Sequence, residues 1–194
     1  MKNLKLNYLI IVAILVSAIF TSCDKEDDDD SKSVSGTIEG THASWDEVSV
    51  SFDDGKTKAA TAKISNGKFS IKLPVPNAAS FIPIESDMPP GVTISDKSAK
   101  VAPASFFVHK GSDKEEIGLM RLSLATGTLT MVGYVYVDKK VDVSGSFTEE
   151  GENMVFDLKM NKGWNTMVID INILNESMKA EIAPAPSGAT WLAL

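Results

Sequence analysis

From residue 34 onward the apolar residues recur mostly at every second position. Val48, Val50 and Phe52 alternate with Ser49 and Ser51, and Phe69, Ile71 and Leu73 alternate with Ser70 and Lys72. Further along, Val141 and Val143 flank Asp142, and Met154, Phe156, Leu158 and Met160 fall on one period-two face. Side chains point to opposite faces of a strand in turn, so this pattern predicts strands with one buried face. Asp53-Asp54-Gly55-Lys56 and Asn66-Gly67 read as hairpin turns, because Asn, Asp and Gly accept the positive φ that tight turns demand. Gly127 and Glu150-Gly151-Glu152-Asn153 punctuate the second half in the same way. No segment carries a sustained helical stripe with caps. The expected fold is all-β, an antiparallel β-sandwich of about nine to eleven strands over residues 34–194.

Two features modify that picture. Six of the eight prolines fall between residues 74 and 103. Proline cannot donate to a central ladder, so this stretch reads as edge strand, loop or a boundary. One sandwich with a long irregular crossing is the expectation, with two small β modules as the alternative. Residues 131–137, Met-Val-Gly-Tyr-Val-Tyr-Val, are apolar on both strand faces, which predicts a strand buried on both sides.

The N-terminus follows another pattern. Lys2 and Lys5 precede a stretch of 13 residues, Tyr8 to Phe20, that is apolar but for Ser17. That is enough for the core of a signal peptide but shorter than the roughly 20 residues a spanning helix needs. Thr21, Ser22 and Cys23, the only cysteine, come next, and then Asp24-Lys25-Glu26-Asp27-Asp28-Asp29-Asp30. Nothing in the acidic run can be buried, so residues 23–33 read as a solvated tether and residues 1–22 as a removed signal. An ordinary secretory signal with a stray thiol and an uncleaved anchor are the alternatives.

Phe20-Thr21-Ser22-Cys23 resembles the lipobox of bacterial lipoproteins, with Phe20 and Ser22 where the usual pattern has Leu and Ala or Gly. The resemblance implies that Cys23 is diacylated and becomes the first residue of the mature chain. A block of acids and lysine directly after that cysteine resembles the export signal of Bacteroidetes-type surface lipoproteins. It implies an outer-membrane address, facing the cell exterior. Residues 34–73, through Ser35-Gly36-Thr37-Ile38 and Gly67-Lys68-Phe69-Ser70-Ile71, resemble the first strands of carboxypeptidase-regulatory-like or prealbumin-like domains. Those are non-catalytic β-sandwiches.

Composition narrows the function classes. The net charge is −7, and of 19 basic residues only Arg121 is an arginine, which excludes the basic face a nucleic-acid binder needs. With one cysteine there is no internal disulfide and no cysteine-based metal site. His42 and His109 are the only near-neutral titrating side chains. His42 stands in Thr41-His42-Ala43-Ser44-Trp45-Asp46, a superficial Ser, His and Asp set; it reads as a surface histidine, because a triad is assembled in space and seldom from neighbours on one loop. His109 reads as the end of a strand running into a turn. Glu115 with Glu149 is an open carboxylate pair that only spatial separation could qualify. No phosphate loop, dinucleotide fingerprint or His-based metal motif is present, so no metal or cofactor is expected.

Exposed aromatic faces stack on sugar rings. Trp164, beside Gly163 and Asn165, is the preferred ligand-surface residue, with Tyr134 and Tyr136 on their shared strand face as further candidates; Trp45 and Trp191 are expected in the core. The expected function is a lipid-anchored surface binding or adhesion module without catalysis, glycans and cell-surface proteins being the candidate ligands. A structural or assembly component of a surface complex, such as a pilus-related subunit, is the alternative, and a hydrolase ranks third. Each buried methylene of an acyl chain contributes on the order of 0.8 kcal/mol, so two chains anchor almost permanently. Wild-type protein is therefore expected to take up labelled fatty acid and to sediment with membranes. Cys23→Ala should take up none, and an unlabelled wild type would refute the anchor.

Overall fold

The computed structural model describes residues 32–84, 88–149 and 151–194. The signal segment, Cys23 and the acidic run lie outside the described residues. Fourteen strands and two short 3-10 turns, Gly40–Ser44 and Ala78–Ser80, make up the regular structure of the described residues. The first seven strands are β1 (Lys32–Thr37), β2 (Glu47–Ser51), β3 (Ala60–Lys63), β4 (Lys68–Leu73), β5 (Ile82–Pro83), β6 (Val92–Ile94) and β7 (Lys100–Lys110). The others are β8 (Asp113–Ser123), β9 (Thr128–Val137), β10 (Val141–Glu149), β11 (Glu152–Met160), β12 (Gly163–Asn172), β13 (Ser177–Ile182) and β14 (Thr190–Ala193). The all-β expectation holds, and the count exceeds it mainly because the Pro-rich stretch contributes the two- and three-residue strands β5 and β6. β1 starts two residues before the expected domain edge: Lys32 and Ser33 pair with Leu73 and Lys72, so the tether is correspondingly shorter.

β1 and β4 form a two-stranded antiparallel sheet. The remaining strands form one sheet in the order β3-β2-β7-β8-β9-β12-β13-β11-β10-β6, with β14 on β8 and β5 on β7. Every pairing is antiparallel except β11 with β13. The centre of the large sheet is a three-way junction. Ile117 of β8 faces Phe106 of β7, but Leu119 faces Val132 of β9. From Tyr134 onward β9 in turn faces β7. The partner exchange falls at Gly118 and Gly133, where the chain has no Cβ. An added Cβ at Gly118 would come within 2.9 Å of Leu194.

Two cores flank β9. The first lies between the small sheet and β2, β7, β8 and β14, and includes Val34, Val48, Val50, Phe69, Ile71, Leu73, Phe106 and Val108. The second includes Val101, Val137, Val141, Val143, Leu158, Met160 and Ile169. Strands four places apart in the ladder meet there, so this half of the sheet is curled on itself. β9 sends Val132 and Tyr134 into the first core and Val135 and Val137 into the second, as a strand buried on both faces must. The cores are not consecutive segments of chain, because Trp191 of the last strand is buried in the first.

Trp191 is 1% exposed, with its ring 4.7 Å from Phe106 and 5.3 Å from Phe69. Gly36 makes room for it, since a Cβ there would lie 2.4 Å from the indole. Trp191→Ala should lower stability by about 3–5 kcal/mol in denaturant unfolding, the cost of an unfilled aromatic site. Gly36→Ala should destabilise in the same direction by forcing the indole aside.

Candidate functional site

The structure reassigns the aromatic residues. Tyr134 and Tyr136 are 8% and 5% exposed, so the expected aromatic face of this pair is not presented to solvent. Phe106 packs on Tyr134, and Phe81 and Trp164 pack on Tyr136. Burial pushes the Tyr134 phenol above its usual pKa. Trp164 does meet Tyr136 across the β9–β12 ladder, as two aromatics on paired strands can. It turns inward there, with ring centroids 5.5 Å from Tyr136 and 6.0 Å from Phe52, and its indole N–H is buried without a partner. Trp164 is half-buried and packs at the margin of the first core. Its packing is set by Phe52, more than a hundred residues away in the chain.

Trp45, expected in the core, packs partly against the first core and also borders a groove. It is half-buried at the end of the 3-10 turn Gly40–Ser44, on the wall of an open groove of about 1110 Å³. Asp46, Glu47, Lys63, Thr41 and Asn66 form the polar rim, and Ile38 and Ile64 line the groove with Trp45. The local chain builds this wall tightly. Asn66 and Gly67 both have positive φ, 53° and 72°, and Ser65 and Lys68 exchange two backbone hydrogen bonds around them, the two-residue turn their sequence predicts. The Ile38 N–H donates to the Gly67 carbonyl at 2.7 Å. A Cβ on Gly67 would press Ala43 at 3.3 Å, so glycine lets the 3-10 turn sit on the hairpin.

His42 holds that turn in place. Its Nε2 lies 2.6 Å from Glu115 Oε2, and its ring meets Trp45 edge-on at 4.6 Å. The side chain is 14% exposed, a correction to the surface reading, because the partner carboxylate arrives from β8, 73 residues away. The local Ser, His and Asp set is not assembled: the Ser44 hydroxyl donates to the Thr41 carbonyl while His42 bonds Glu115. Nor does the fold pair Glu115 with Glu149. Glu149 ends β10 opposite Glu152, on a strand with no ladder to β8.

His109 lies on the opposite face of the sheet, within β7. Its Nε2 shares a 2.7 Å hydrogen bond with the Ser49 hydroxyl of β2, and Ser49 is 2% exposed. Glu47, opposite His109 in the ladder, is bonded to Lys58 at 2.6 Å, which holds its carboxyl below the usual pKa. Desolvation, reinforced by Lys58 and Lys114, holds the imidazole below its ordinary value against the attraction of Glu47. Its chemical role is to satisfy a buried hydroxyl. Among the described residues, no three His, Cys, Asp or Glu side chains converge on a site for a metal ion.

The chain matches no family model, no curated protein and no solved structure. The site is accordingly read from its own geometry.

The lowered pKa of His109 has a defined sign in stability. The unfolded chain binds a proton near pH 6.5 while the folded one does not, so this contribution is complete above that pH. It is lost as pH falls through 6.5 toward the depressed folded value. Glu116, whose carboxyl burial pushes up, acts in the other direction, its contribution falling as pH rises above 4.5. The difference between wild type and His109→Gln isolates the histidine. The decline in wild-type thermal midpoint between about pH 7 and pH 5 should flatten in the variant. An unchanged slope would show that His109 is not held neutral.

Proposed function

We propose that this chain is a lipid-anchored binding module at the outer membrane, facing the cell exterior, that takes a carbohydrate-type ligand without chemical turnover. The observation that carries the reading is Trp45, half-exposed on the groove wall and fixed by His42 and Glu115. An indole face beside carboxylates, an ammonium and an amide matches the two sides of a sugar ring, apolar C–H below and hydroxyls around. Glu47, Asp46 and Asn66 can accept or donate to hydroxyls, and Lys63 adds a donor. A tryptophan held by its neighbours loses little entropy on binding. The lipobox-like segment at Cys23 and the acidic block after it support the address. The membrane is thus one partner, through the lipid, and a glycan the other.

Screening the purified protein on a glycan array should give a ligand, and Trp45→Ala should weaken its binding at least tenfold, about 1.4 kcal/mol. The thermal midpoint should change far less than in Trp191→Ala. Trp164→Ala should lower stability while the remaining folded protein keeps its affinity. A ligand bound equally by wild type and Trp45→Ala would move the site away from this groove.

A further inference from the structure

Four of the six large apolar side chains exposed among the described residues lie together at one end of the molecule. They are Leu122, Leu124, Ile173 and Leu174, which are 57%, 85%, 56% and 77% exposed. Leu124, Ile173 and Leu174 occupy two hairpin turns, one joining β8 to β9 and the other β12 to β13, and Leu122 stands on β8 just before the first. The turns stand side by side. The Ile173 N–H donates to the Gly127 carbonyl at 2.9 Å, and the Asn172 side-chain amide donates to the Thr126 carbonyl at 3.2 Å. Leu174 lies over Gly127, where a Cβ would come within 2.5 Å of its Cγ. Behind the tips, Leu122, Leu129, Ile171 and Met178 form an apolar row across four strands. The row continues into the second core, so the tips are its open end.

We propose that these paired tips are a membrane-contact surface that dips into the interface of the bilayer holding the lipid anchor. The anchor itself is part of the proposed function, and this inference rests on that reading. Three observations favour a lipid surface over a protein. The patch is built of turn tips and adjoining strand ends, apart from the groove beside Trp45. Its four apolar side chains stand in stretches without charge, Leu122 to Leu129 and Ile171 to Asn175, with Glu176 at the edge where the β12–β13 turn closes. Such a surface suits zwitterionic headgroups, whereas a chain of net charge −7 is repelled by anionic ones.

The third observation is where the described chain begins. Lys32 places its ammonium 5.9 Å from the Tyr134 ring centroid. From Tyr134 to Thr128, at the tip end of β9, is six residues, roughly 20 Å of strand. The nine residues from Cys23 to Lys32 reach at most roughly 30 Å. The acylated cysteine and the leucine tips can therefore occupy one membrane plane. Two attachments, a flexible lipid and a rigid apolar wedge, would set the orientation of the domain.

The full-length protein carrying Leu124→Trp, reconstituted in phosphatidylcholine vesicles brominated along the acyl chains, tests this directly. Bromine quenches only a tryptophan that enters the acyl region. Fluorescence of the new indole should fall at least twofold relative to unbrominated vesicles, while protein without the substitution should change little. Adding Leu122→Asp and Leu174→Asp should abolish the quenching with the thermal midpoint kept, since the side chains replaced are exposed. An unquenched residue 124 overturns the proposal. So does a self-association that shields it without lipid, which would make the tips an interface between copies. Fatty-acid labelling of the same samples reports on Cys23 separately: quenching without label leaves the tips standing and removes the anchor, and label without quenching does the reverse.

Discussion

From Tyr134 to Val137 β9 is buried on both faces, and the other strands are arranged around that fact. One edge is paired to β8 and then β7, and the other is paired along its full length to β12. Its alternate side chains enter two different cores. A strand so enclosed must satisfy every backbone group through its neighbours and can carry polar atoms only where a partner is supplied. Thr130 meets that condition by donating to Asp170 at 2.6 Å. The apolar pairs Val132 with Val168 and Met131 with Ile169 meet it by having nothing to satisfy.

The three-way junction follows from enclosing β9 between two cores. A flat meander of β7, β8 and β9 would leave β7 and β9 parallel and separated by β8. Here β8 leaves β7 after Ile117, β9 comes alongside β7 from Tyr134, and the hairpin between them projects as its own arm. This geometry separates the molecule's two surface features. The groove beside Trp45 lies where the end of β1, the 3-10 turn Gly40–Ser44, the start of β2 and the end of β3 meet. The leucine tips end the β8–β9 arm, next to the β12–β13 turn. A ligand in the groove and a membrane at the tips therefore need not compete for the same surface.

Much of this architecture is legible as local pattern. The alternations at Val48–Val50, Phe69–Leu73 and Met154–Met160 each become a strand with the apolar residues inward, and Asp54-Gly55 and Asn66-Gly67 adopt the positive φ their turns require. The double-faced apolar run at 131–137 announces the buried central strand. What stays hidden depends on distant partners. β14 is four residues long and owes its place to Trp191 filling a gap over Gly36. The parallel β11–β13 pair has no turn signal, because the β12 hairpin stands between its members in the chain. Lys32 and Ser33 look like tether by composition and become strand because β4 offers them an edge.

The tryptophans show the same division within the site. Trp45 and Trp164 each follow a small residue and precede a polar one, so local chemistry does not tell them apart. Across the fold both rings pack half-buried against the first core, Trp164 with Phe52 and Tyr136 as aromatic neighbours and Trp45 with the edge of His42. What the first core leaves uncovered of Trp45 is a face on the groove wall. Holding that face at a fixed angle requires a second contact, which His42 supplies by reaching Glu115 on another strand. The other histidine, across the sheet, serves Ser49 in the same manner. Both imidazoles thus act as struts between distant segments, and a single chain of contacts, Glu115 to His42 to Trp45, carries the rigidity of β8 out to the groove.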